Sequence, residues 1–171
     1  MRTGQNFKVL YVLLIICQVA LCNYTNLGPY IMLSILPAMV MCIPLSVSTI
    51  LCMLVAFATG FSVDWLSEGL LGINAAALIP VAAARNTFIR IFLGEDMINR
   101  KDSFSIRKNG LGKIMTIMVA ANLIFLIIYV ILDGAGTRPF WFCFTRIIFS
   151  LAANTALAIL IAETLCPDDR R

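Results

Sequence analysis

Gly60-Phe61-Ser62-Val63-Asp64-Trp65, followed by Gly72-Ile73-Asn74-Ala75-Ala76-Ala77 and then by Arg85 and Arg90, is the stretch that decides how this chain is read. Two long apolar runs meet there at an acid and a glycine-asparagine turn. In water such a junction says little. In lipid, an ionisable group within a span costs several kcal/mol unless it is paired, hydrated or placed at an interface.

Composition places the chain in lipid. Of its 171 residues, 61% are hydrophobic and 13% charged, against roughly 45–50% and about 25% in an ordinary soluble domain. About six spans of roughly 20 residues with short loops use up this length. Residues 1–171 are therefore expected to form one integral membrane domain without a separate soluble unit. The formal net charge of +4 is small, and the basic residues are not interleaved with exposed aromatics, so nucleic-acid binding has little support.

The chain has no histidine, which removes an imidazole base, an HExxH metal site and a Ser/His/Asp triad. Cys17, Cys22, Cys42, Cys52, Cys143 and Cys166 lie inside or at the edges of apolar runs without CxxC spacing. They read as small buried hydrophobes rather than disulfide partners or metal ligands. Arg2 and Lys8 before an apolar run resemble a signal peptide, but Cys22-Asn23-Tyr24 is no small-x-small cleavage site, so the run is expected to remain as the first helix. No Gly-rich phosphate loop precedes a helix, no aspartate run has metal-ligand spacing, and charge within the spans is too sparse for a pump or channel. The expectation is a non-catalytic bundle that binds something, with no catalytic residue, cofactor or metal.

Apolar runs at Phe7–Cys22, Tyr30–Pro44, Leu45–Val63, Ile73–Phe92, Leu111–Leu132 and Phe140–Ile161 predict an all-α polytopic bundle of about six transmembrane helices. Tyr30 to Val63 would be roughly 50 Å long as one helix, too long for a ~30 Å hydrocarbon core, so it must fold back or bend sharply. Its first part, Tyr30–Pro44, is short, holds Pro37 and ends at Pro44; it either crosses fully or re-enters. With six spans, Arg2, Lys8, Arg90, Arg100, Lys101, Arg107, Lys108, Lys113, Arg170 and Arg171 share one side, and Asp64, Glu68, Asp133 and Arg138 the other. Both termini are then cytoplasmic, and an odd number of spans would put one basic segment outside. The loop Gly94 to Gly110 mixes charge with Met97, Ile98, Phe104 and Ile106, which suits the cytoplasmic headgroup layer. It reads either as a solvated loop that fixes topology or as a docking surface for a cytoplasmic partner.

Within the spans, Asn74, Leu78, Val81 and Arg85 share one face of the fourth helix, beside Ala75–Ala77 and Ala82–Ala84. Small residues let helices approach closely in lipid, so this helix should be central. Pro80 frees a carbonyl there, for a hydroxyl or water to satisfy. Arg146, Ser150 and Asn154 form a polar stripe on the sixth helix that should face protein or water. Asp64 is placed at the outer membrane surface, where an Asp64–Arg146 pair is geometrically possible; separate partners or snorkelling is the alternative. Gln18 and Asn122 are expected to make single interhelical hydrogen bonds. Phe125 to Leu132, apolar all round, should face lipid or a partner's helix.

Gln18 in a basic-flanked first helix, then Asn23, Gly28-Pro29, Pro44, Gly60 to Asp64, Gly72 to Ala77 and Arg85 resemble, in order and spacing, the rod shape-determining MreD family. The resemblance covers roughly Lys8 to Arg90; the last 80 or so residues agree in hydropathy and length. It implies a non-catalytic protein of the bacterial cytoplasmic (inner) membrane, part of the elongation machinery that maintains cell shape. It further implies the partners of that machinery: the bitopic MreC, the filament protein MreB, the glycosyltransferase RodA and a penicillin-binding transpeptidase, with membrane lipids around them. The family is thought similar in architecture to the six-helix substrate-binding S components of energy-coupling-factor vitamin transporters, which supply the alternative function. A ligand pocket would have to be built from Trp65, Trp141, Asp64, Asn74 and Arg146. Gln18, Gly60, Asp64, Gly72, Asn74, Arg85, Arg146 and Asn154 are the candidate structural or partner-contact residues.

Overall fold

A computed structural model describes residues 3–24, 28, 30–68, 71–94, 110–134 and 138–165. Regular structure among them is entirely helical: α1 (Thr3–Tyr24), α2 (Leu36–Met41), α3 (Thr49–Val63), α4 (Ile73–Leu93), α5 (Leu111–Gly134) and α6 (Phe140–Leu165). A π-helical turn, Asp64–Glu68, extends α3. All but α2 are long and apolar enough to cross a membrane, so the chain is a multi-pass, all-α membrane bundle. The segment 95–109, and with it most of the expected cytoplasmic loop, lies outside the described residues.

Five membrane-length helices stand where six were expected, and the break falls just before Pro37. An interior proline clashes with the carbonyl four residues back and lacks the N–H that would bond it. A helix running through Leu33–Pro37 would lose that bond, a loss α4 tolerates at Pro80 within its length; here residues 31–35 run without helix. Pro37 instead occupies the first turn of α2, where the missing N–H is no loss. After Cys42 the chain turns through Pro44 and re-enters helix at Ser48, whose Oγ accepts from the Leu51 N–H (3.4 Å).

This irregular segment nonetheless crosses the bundle. Tyr30 packs its ring on Phe142 at the start of α6 (5.0 Å). Met32 and Ser34 then meet Ser150 and Asn154, successively further along α6. At its far end Thr49 accepts from Asn86, two turns from the end of α4 (2.8 Å). Short connections make α3 and α4, and α5 and α6, antiparallel pairs, and α1 must end near Tyr30. Both ends of the described chain thus share one side with Lys8, Arg90 and Lys113, while Asp64, Asp133 and Arg138 share the other. Crossings remain even in number although one of them is not a membrane-length helix.

The core sits around α2, which touches each of the other five helices. Leu36 to Met41 are all buried. On α5 the buried residues Ile114, Ile117, Met118, Ala121, Phe125, Leu126 and Tyr129 follow three- and four-residue spacing. Phe125–Leu132 is therefore half core: Phe125, Leu126, Tyr129 and Val130 are buried, and only Ile127, Ile131 and Leu132 face outward. The lipid-facing reading of that whole stretch is corrected. Its two faces carry similar aliphatic side chains, because lipid accepts the same residues a core does. Cysteine burial is also mixed, with Cys42 and Cys52 buried but Cys17 exposed.

Candidate functional site

Two polar constructions hold the bundle together, and between them they use most of the candidate residues. The first joins α3 to α4. Gly60 lies so close to α4 that a Cβ there would stand 2.6 Å from the backbone nitrogen and Cα of Ala75. One turn later on the same face of α3 comes Asp64, which is fully buried. Its carboxylate accepts from the backbone N–H groups of Gly72 (3.0 Å), Asn74 (3.2 Å) and Ala75 (3.3 Å) and from Asn74 Nδ2 (2.8 Å).

The chemistry follows from the turn. Gly72, at the N-cap of α4, has φ +98° and no side chain to cap with. The first N–H groups of a helix have no internal partner and carry the positive end of its dipole. Asp64 caps α4 from the preceding helix, so its charge is satisfied by amides rather than by a cation. The acid at this junction therefore lies at the outer end of the span, as expected, but is turned inward as an internal fastener and fully buried. Leu78, Val81 and Arg85 continue the buried face of α4, as the spacing predicts.

The second construction supports the irregular crossing. A non-helical backbone at membrane depth has no hydrogen-bond ladder of its own, and each unsatisfied group there costs several kcal/mol. Ser150 Oγ accepts from the Met32 N–H and Asn154 Oδ1 from the Ser34 N–H, both at 2.9 Å. Gln18 Oε1 accepts from the Ile35 N–H (2.8 Å), while its Nε2 donates to the Leu33 carbonyl (3.2 Å) and Cys22 Sγ (3.1 Å). That Leu33 carbonyl is the one a proline at position 37 could never reach.

The register has a simple origin. Residues i and i+4 of a helix are about 6 Å apart along its axis, and residues i and i+2 of an extended chain about 6.6 Å. A Ser150–Asn154 pair thus matches alternate amides of the crossing on one side, leaving the other side to Gln18. Arg85, also buried, closes the far end: Nε donates to the Met41 carbonyl (3.3 Å), one terminal nitrogen to the Ile43 carbonyl, and the other lies 4.0 Å from Cys52 Sγ. A cation at the carbonyl end of α2 suits its exposed C=O groups and dipole.

Arg146, the outermost member of the α6 stripe, does not meet Asp64. It pairs with Asp133 at the end of α5 and lies over the Tyr129 ring (6.0 Å). Asp64 is enclosed by the start of α4, while the short α5–α6 connection brings Asp133 beside α6; spacing along one strand of sequence did not show this. Nor is the conjectured ligand cluster assembled. Trp65 and Trp141 are exposed (67% and 74%), Asp64 is engaged by the α4 cap and by Asn74 Nδ2, and Arg146 is held by Asp133. Asn122 is buried, yet among the described residues neither of its amide atoms has a hydrogen-bond partner, against the expected interhelical bond.

Sequence reasoning placed Ser150 in the inward stripe without its partner, and missed Thr59 altogether. Thr59 donates to the Val55 carbonyl (2.7 Å) and so accepts from Tyr11 (3.1 Å), linking α1 to α3. Single hydroxyls in apolar helices carry no signal beyond their presence. No protein-family model, curated protein or solved structure matches this chain.

Proposed function

We propose that this protein is a non-catalytic membrane subunit of the bacterial rod-shape machinery, of the MreD type. In this reading it sits in the cytoplasmic membrane and binds the transmembrane helix of an MreC-like bitopic protein through its lipid-facing surface. It thereby helps keep an MreB-like filament, a RodA-type glycosyltransferase and a penicillin-binding transpeptidase in one complex.

The observation that carries the non-catalytic part is how the polar residues are employed. Gln18, Asp64, Arg85, Ser150 and Asn154 are all buried and all bond to main-chain groups of the bundle itself. Among the described residues the centre is occupied by α2, all of whose residues are buried. This counts against the S-component alternative, which needs a roomy site with aromatic and polar lining. Of the residues that carry the family resemblance, Gln18, Gly60, Asp64, Gly72, Asn74 and Arg85 take part in the two constructions, beside Ser150 and Asn154.

Two experiments test the reading. Depletion in the host should turn rods into spheres that lyse; a growth defect cured by an external vitamin would favour the transporter subunit instead. Co-purification with the MreC-like partner should be lost when that partner's transmembrane helix is replaced by an unrelated span. Equal recovery with either span would overturn the proposed contact.

A further inference from the structure

The geometry points to a lipid site between α5 and α6: an apolar groove headed by Arg138 that holds one chain of an anionic glycerophospholipid. The groove has a volume of about 410 Å³ and is lined by Ile127 and Ile131 of α5 and by Phe140, Cys143, Phe144 and Ile147 of α6, with Arg138 at its mouth.

Three observations select this occupant. The first is charge. Arg138 is exposed and lies over the Phe142 ring (5.0 Å), and among the described residues it makes no ion pair. The nearby acid in sequence, Asp133, is already neutralised by Arg146. One uncompensated guanidinium therefore stands at the mouth, suited to a phosphate oxygen pair.

The second is depth. Phe140 and Trp141 are exposed beside Arg138 (76% and 74%), and Trp65 is exposed at the same end of the bundle (67%). Aromatics of this kind mark the headgroup level, so the cation is at the height of a lipid phosphate. The third is length. From Gly134 to Ile127 and from Phe140 to Ile147 the groove descends about 10 Å, within one ~15 Å leaflet of a ~30 Å core. A partner's transmembrane helix would need a seam across both leaflets; an acyl chain hanging from a headgroup needs this much. The site does not depend on the scaffold role above.

Native mass spectrometry of the detergent-solubilised protein tests this, with phosphatidylglycerol and phosphatidylcholine of identical chains. One phosphatidylglycerol should be retained in preference by about fivefold, the effect of one arginine at a lipid surface. Arg138→Gln should abolish the preference, and Ile131→Trp, which fills the groove from its exposed rim, should reduce retention of both lipids. Both positions are exposed, and a monodisperse elution profile establishes that each variant folds. Equal retention of the two lipids by the wild type, or a preference unchanged in Arg138→Gln, overturns the site. So do displacement by soluble glycerol phosphate alone, which would make it a free-phosphate site, and a lipid-free dimer, which would make the groove an interface between copies.

Discussion

The α3–α4 junction and the irregular crossing solve the same problem, main-chain polar groups buried in lipid, in opposite ways. At the junction, Asp64 serves amides only 8 to 11 residues ahead of it. At the crossing, Gln18 reaches 17 residues forward to Ile35, while Ser150 and Asn154 reach back 118 and 120 residues to Met32 and Ser34. The junction is a local turn with one carboxylate; the crossing is a short length of backbone clasped by side chains from three long helices. Local fastening should be strong and independent of its neighbours, and distributed fastening should be cooperative.

The largest effect should come from breaking the local device. Gly60→Val places side-chain carbon against Ala75 backbone that cannot yield, and should cost about 3 kcal/mol or more, seen as loss of monodisperse protein or a large drop in Tm. Asp64→Asn keeps the shape but turns an NH₂ toward amide donors, and should cost about 2–3 kcal/mol in a thermal or detergent unfolding assay. At the crossing, Arg85→Met should cost a comparable 2–3 kcal/mol by leaving buried carbonyls without a donor, and Arg85→Lys, lacking the fork, should recover only part of it.

Smaller effects separate the two regions more sharply. Gln18→Leu and Asn154→Leu each remove acceptors from the same five residues, so their double mutant should depart from additivity by about 0.5–1 kcal/mol. Asp64→Asn combined with Asn154→Leu should be additive within about 0.3–0.5 kcal/mol, because they share no partner. Additivity in the first pair would mean the crossing is not a cooperative unit. The smallest coupling between bonded partners, about 0.2–0.5 kcal/mol, should link Asp133→Asn with Arg146→Gln, partly exposed as that pair is. Coupling between Asp64→Asn and Arg146→Gln instead would contradict the pairing described above.

The same contrast explains what could be read before the fold was known. Gly60, Asp64, Gly72 and Asn74 are close in sequence, so their order exposed the turn, though not that Asp64 turns inward to cap α4. The α6 stripe was visible as a four-residue period, but its partner was not. The amides it bonds belong to a segment whose composition, Ile31-Met32-Leu33-Ser34-Ile35, is that of an ordinary apolar span. Pro37 was the available clue, and it reads correctly only if taken as the first turn of a helix rather than as a flaw inside one. The core face of α5 was hidden for another reason: in lipid the inward and outward faces are made of the same side chains.

The clasp on Met32 and Ser34 also sets an order of events during synthesis. A chain growing at about 5–20 residues per second makes Ser150 some 6 to 24 seconds after Met32. Through that interval the crossing lacks two of its acceptors, those of the Met32 and Ser34 amides. Membrane insertion of the amino-terminal half is thus provisional until the last helix emerges, and a nascent chain truncated before α6 should expose residues 30–48 to proteases that the complete bundle resists.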